Sequence, residues 1–166
     1  MANTYEAIAT VTVGSGGAAD IQFTSIAADW TDLCLKVSAR NTSSGDYILL
    51  SFNGSSSSFT QRAIYGNGTT AASFSDAPRY GGAIDTSSQT ASTFGNVEIY
   101  IPNYAGSSNK SHSIDSVMEN NGTTAYTNLN AGLWSNAAAI TSITLAPSEN
   151  NFAQYSTATL YGIKNS

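Results

Sequence analysis

His112 is the only histidine in the chain, and it stands in the run Ser-His-Ser-Ile-Asp from Ser111 to Asp115. A nucleophilic site of the Ser-His-Asp kind needs a hydroxyl within reach of the imidazole and a carboxylate holding the ring from its other side. Ser111, Ser113 and Asp115 supply those types close by. On an extended strand, however, successive side chains point to opposite faces, so His112 and Ser113 diverge. No Gly-x-Ser-x-Gly elbow accompanies them. The pattern predicts an exposed or loop-edge histidine, no catalytic residues and no enzyme.

Other reactive types are equally dispersed. Metal sites gather His, Cys and carboxylates, but Asp46, Asp76, Asp85, Asp115 and Glu119 are spread along the chain, and Asp29 and Asp32 merely flank Trp30 and Thr31. A calcium ion between loops is the alternative to solvated turn aspartates, and the expectation is no metal and no cofactor. A glycosidase needs two carboxylates facing across a cleft, and nothing selects a pair from the 11 acidic residues. The run Val13-Gly-Ser-Gly-Gly-Ala18 follows a strand pattern but lacks the lysine of a phosphate-binding loop, so it reads as a turn. Cys34 is the single cysteine and cannot form an intrachain disulfide. Alternation turns it to the polar side of its strand; a packed small residue is the expectation, a reactive thiol the alternative.

The aromatic residues carry more information. There are nine Tyr, six Phe and two Trp, and Tyr and Trp bury large areas at low entropic cost, which suits them to interfaces. Tyr100, Tyr104 and Trp134 fall at strand ends or opposite aliphatic runs and are the candidate interface residues. The competing expectation is that such rings fill the second side of a core.

The elements that would position these groups are strands. Apolar residues recur with period two throughout. Tyr5, Ala7, Ala9, Val11 and Val13 share one parity; so do Leu33, Leu35 and Val37, then Ile48, Leu50 and Phe52, then Val97, Ile99 and Ile101. Leu129 and Leu133, in phase with Ala131, are expected to face the core, and Lys36, Ser38 and Arg40 to point outward. Asn-Gly pairs at 53–54, 67–68 and 121–122 suit tight hairpins because both central positions accept positive φ. The spacing predicts nine to ten strands and no helix. The segment from Thr69 to Thr93 reads as a long loop holding one short strand near Arg79–Ile84. The predicted fold is all-β: a single domain spanning 1–166, an antiparallel two-sheet β-sandwich of the jelly-roll type. An immunoglobulin-like sandwich is the alternative.

Composition bounds the partners. With 166 residues the chain can bury about two thirds of its unfolded surface in one core. Only 10% of residues are charged, against about 25% in ordinary domains, while Ser, Thr and Asn make up roughly a third of the sequence. A surface of small neutral hydrogen-bonding groups suits a protein packed against others. A net charge of −5 with six scattered basic residues argues against nucleic acid. No run approaches the ~18 apolar residues of a membrane span. Five Asn-x-Ser/Thr triplets occur, but the first ten residues show no basic or apolar leader, so composition accounts for them and synthesis in a cytoplasm is expected.

Three blocks carry a resemblance over nearly the whole chain: "NVEIYIPNYAGSSNKSHSIDSV" from Asn96, "NAGLWSNAAAITSITLAPS" from Asn130 and "FAQYSTATLYGIKNS" from Phe152, joined by "TYEAIATVTVGSGGAADIQFTSI" and "TDLCLKVSAR" near the start. With them the chain resembles small structural proteins of tailed phages of aquatic bacteria, cyanophages among them; the match is weakest from Thr42 to Thr93. The resemblance implies a non-enzymatic virion component on the particle exterior. Its first form is a capsid decoration, or cement, protein bound to the major capsid protein and self-associating as a homotrimer. Its second is a tail-fibre or receptor-binding module that recognises host polysaccharide.

Overall fold

A computed structural model describes residues 4–75, 79–123 and 125–164. Twelve strands run through them: β1 (Tyr5–Thr12), β2 (Ile21–Phe23), β3 (Asp32–Ala39), β4 (Tyr47–Phe52), β5 (Phe59–Gly66), β6 (Ala71–Phe74), β7 (Tyr80–Ala83), β8 (Gly95–Ile101), β9 (Lys110–Met118), β10 (Tyr126–Trp134), β11 (Ile143–Pro147) and β12 (Thr157–Ile163). There is no helix among the described residues. The strand near Arg79–Ile84 is β7, as expected. The count exceeds the predicted nine to ten partly because β6 forms inside the stretch read as loop. Its Ala-Ala-Ser-Phe sequence has no alternation to announce it, and it is held by pairing with β5, Ala63 opposite Phe74.

The strands make an antiparallel two-sheet β-sandwich. The large sheet has the order β1-β12-β3-β8-β9-β10-β5-β6 and the small one β2-β11-β4-β7. The division is therefore eight and four, rather than the four and four of an eight-stranded jelly roll. The chain crosses between sheets at each of its first four connections. Five antiparallel pairs nest inside one another along the sequence: β1 with β12, β2 with β11, β3 with β8, β4 with β7 and β5 with β6.

The core lies between the sheets. Leu33, Leu35 and Val37 of β3 and Val97, Ile99 and Ile101 of β8 face Ile48, Leu50 and Phe52 of β4 and Ile143 and Leu145 of β11, all buried in one cluster. Each such side chain contributes about 1.5–3 kcal/mol by leaving water. Lys36 and Ser38 point outward as predicted, and Arg40 is half-buried. The guanidinium of Arg40 donates to the carbonyls of Gln89, Thr90 and Thr93 and so fastens the β7–β8 loop to the end of β3. The Asn53-Gly54 pair has positive φ at both residues, the turn geometry its sequence predicts.

Two facings differ from the sequence pattern. In β10 the inward residues are Asn128, Asn130, Gly132 and Trp134, while Leu129 and Ala131 are exposed and Leu133 half-buried. The partner strand decides this. Residues directly opposite in an antiparallel pair share a face, and β9 turns His112, Ile114 and Met118 inward opposite Gly132, Asn130 and Tyr126. In β1 the alternation from Tyr5 to Val13 is broken by a register shift between Ala7 and Ala9. Ile8 at the shift and Val11 beyond it pack against the core, while Tyr5 lies over Tyr161 with ring centroids 4.8 Å apart.

Candidate contact surface and cleft

The triad reading fails on facing. His112 is buried, whereas Ser111, Ser113 and Asp115 are exposed on the opposite side of β9. The imidazole is enclosed by Phe52 and Phe59, with centroids 5.6 and 6.5 Å away, and lies over Gly132. Burial pushes its pKa down to about 4. The predicted exposed histidine is thus a core residue, because Gly132 opposite it leaves room for a ring. Cys34 is buried, as the packed reading predicts, and burial raises its thiol pKa.

Two of the three candidate interface residues are also interior. Tyr104 has no exposed surface, and Trp134 stacks on Phe59 at 6.1 Å and meets Phe52 edge-on at 5.6 Å. Tyr100 and Tyr104 would share a face if the strand continued. It ends at Ile101, and Asn103 takes φ 49°, so the chain doubles back and drops Tyr104 into the core. There its hydroxyl donates to the Ala27 carbonyl and accepts from the Trp30 N–H. The following neutral loop is fastened rather than free: the buried Lys110 ammonium donates to the carbonyls of Gly106, Ser108 and Ala137. Burial lowers the Lys110 pKa. Tyr100 alone stays on the surface. It is half-buried and donates to Asp32 Oδ2 at 2.7 Å, a bond that raises its pKa.

The exposed candidate surface is the outer face of the large sheet, which the register arranges in rows. One row crosses Tyr161, Cys34, Tyr100, Ser113, Ala131 and Arg62. The next crosses Thr159, Lys36, Glu98, Asp115, Leu129 and Ile64. Leu129 and Ile64 lie directly opposite each other at 55% and 60% exposure, with Val117 at 40% on the diagonal. Open grooves of about 560 and 700 Å³ run on either side of the Leu129–Ile64 pair. The reading of Leu129 as core hid this patch; the inward parity of Trp134 was the signal against it.

A second feature lies on the inner face near one end of the sandwich. Gln61, Asn128 and Asn130 are buried on neighbouring strands. Asn130 Nδ2 donates to Gln61 Oε1 at 2.7 Å, but Gln61 Nε2, Asn130 Oδ1 and Asn128 Nδ2 have no partner. Asn128 lines a cavity of about 170 Å³ walled by Tyr65, Phe74, Tyr80 and Tyr126, with Asp46 at its rim. Asp46 also borders an adjoining cavity of about 390 Å³ whose other walls are Ser, Thr, Gln, Asn and Gly residues. Crowding by these walls raises the Asp46 pKa although the residue remains exposed. Among the described residues no group of three or more His, Cys, Asp or Glu is placed to hold a metal ion.

Comparison with protein-family models, with curated proteins and with solved structures finds no match.

Proposed function

We propose that the chain is a non-enzymatic structural protein of a phage virion, and that it works as a capsid decoration protein whose outer sheet face seats on the major capsid protein. The observation that carries this reading is the Leu129–Ile64–Val117 patch, three large apolar side chains exposed side by side on the outer sheet face. Large aliphatic side chains held in water by a sheet mark a contact site. The resemblance of the Asn96, Asn130 and Phe152 blocks to phage structural proteins points the same way. So does the nested strand pairing, which supports a jelly-roll path: β2-β11-β4-β7 is one sheet, and β3-β8-β9-β10-β5-β6 is the other with β9 and β10 as an added hairpin. The β1–β12 pair then extends the large sheet at one edge. In this reading the protein self-associates as a homotrimer, and many weak contacts per shell act together.

Copy number tests the assignment. Quantitative mass spectrometry of purified particles should return a number near that of the major capsid protein; a few to a few dozen copies would argue for the tail instead. Leu129→Asp and Ile64→Asp test the surface. Both positions are exposed, so the melting temperature should barely move, while binding to particles lacking the protein should be lost. Undiminished binding by both variants would remove the outer face from the proposal.

A further inference from the structure

The exposed apolar ridge on the outer face is flanked by one charge of each sign. Leu129 and Ile64 stand opposite each other on β10 and β5, and Asp115 of β9 continues their row past Leu129. Arg62 lies two residues before Ile64 on β5, in the neighbouring row with Ala131 and Ser113. Both charged residues are exposed, and no other outward side chain of β5, β6, β9 or β10 carries a charge. Among the described residues neither has an ionic partner. The Arg62 guanidinium donates through Nη1 to the Gln61 carbonyl at 2.7 Å, which uses one of its several donors. The charges stand in different grooves: Arg62 lines the one of about 560 Å³ on one side of the ridge, Asp115 the one of about 700 Å³ on the other.

Sheet geometry makes this pattern complementary to itself. Neighbouring strands lie about 4.8 Å apart, and successive residues on one face about 6.8 Å apart along a strand. Measured from the middle of the Leu129–Ile64 pair, Asp115 is one and a half strand spacings away, or about 7 Å. Arg62 is half a spacing across and one two-residue step along, again about 7 Å. A two-fold axis that lies between two facing copies and passes over that midpoint can be oriented to exchange two such equidistant points. Arg62 of each copy then meets Asp115 of the other, while the Leu129–Ile64 ridges meet at the axis. Such reciprocity defines an isologous contact. The outward neighbours Ser113, Ala131, Thr127 and Ser73 are small, so two sheets can approach to the ordinary face-to-face spacing of about 10 Å. We infer that in the free protein this face pairs with the same face of a second copy, through the Leu129–Ile64 ridge and two reciprocal Arg62–Asp115 ion pairs. Any other apolar partner must bring a base and an acid at matching places; a second copy brings both by symmetry. This contact closes at two copies, so it is distinct from the three-fold association proposed on the shell. It stands without the capsid reading; where the face seats on a shell, seating displaces the second copy.

Sedimentation equilibrium of the full chain, with no particles present, tests the pairing. The wild-type protein should fit a monomer–dimer equilibrium with a dissociation constant of roughly micromolar order. Arg62→Asp and Asp115→Arg each set like charges against one another twice across the axis, so each should weaken dimerisation about tenfold or more. The double variant Arg62→Asp/Asp115→Arg makes the charges opposite again and should return the constant to within about threefold of wild type. All three are changes at exposed positions, and thermal melts should show the fold intact. A wild-type chain still monomeric at roughly millimolar concentration, a trimer as the smallest assembly, or a double variant no tighter than the single ones would overturn the pairing. A monomeric chain that binds particles sinks this inference alone, and a dimer-forming chain that never binds them sinks the capsid reading alone.

Discussion

His112 sits among Phe52, Phe59 and Trp134, and its Nδ1 has no partner. The neutral ring fits this apolar pocket and the imidazolium does not. Its pKa is about 4 in the folded chain, against an ordinary value of 6.5. Between those values the unfolded chain binds the extra proton, so stability rises with pH across the window and is level above it. Acidification from pH 6.5 toward 4 should therefore cost roughly 3 kcal/mol through this residue alone. Denaturant titrations at successive pH values will show it as a falling midpoint, most cleanly from pH 6.5 to 5, before carboxylates titrate. In His112→Leu that part of the slope should vanish; an unchanged slope would assign it elsewhere. Lys110 shows the complementary solution for a buried polar group. Its ammonium replaces water with three carbonyls, and in doing so it closes the loop that follows Tyr104.

At the level of elements, the β9–β10 pair decides most of what the sequence left ambiguous. Gly132 lies opposite His112, and a Cβ there would fall 2.1 Å from His112 Nε2. Gly132→Ala should therefore destabilise the fold by about 1–3 kcal/mol through overpacking. The same substitution in a His112→Ala background should cost much less, because the colliding ring is gone. Thermal melts of the two single variants and the double variant give the coupling directly; additive losses would mean that β10 does not hold this register. The pair also explains the misread facing. Leu129 and Leu133 look like core in isolation, but β9 carries Ile114 and Met118 on the parity that meets Asn130 and Tyr126. Once those are buried, the leucines of β10 must face outward.

On the scale of the whole molecule, cohesion comes from a large apolar cluster that draws on both sheets and a smaller one around Tyr80, Ala83 and Met118. Charges are few, and the ion pair between Lys36 and Glu98 lies on an exposed part of the outer face. Such pairs contribute little and are screened by salt. Raising sodium chloride from low to physiological concentration should shift the melting temperature by less than about 2–4 °C, the effect of a single ~1 kcal/mol change in a domain of this size. A larger fall would reveal an electrostatic network in the fold, and calorimetry at two salt concentrations is sufficient to see it. On the same outer face the exposed Leu129–Ile64 patch has Asp115 as a charged neighbour, directly opposite Leu129. Period-two alternation is a local property, so the sequence by itself determined an all-β chain with Leu33, Leu35 and Val37 turned inward and Lys36 and Ser38 outward. Facing in β10, the inward drop of Tyr104 and the gathering of Asn128, Asp46 and the tyrosines into one cleft were decided only in three dimensions. They depend on which strand lies alongside and on a turn at Asn103, and neither is encoded in the spacing of a single strand.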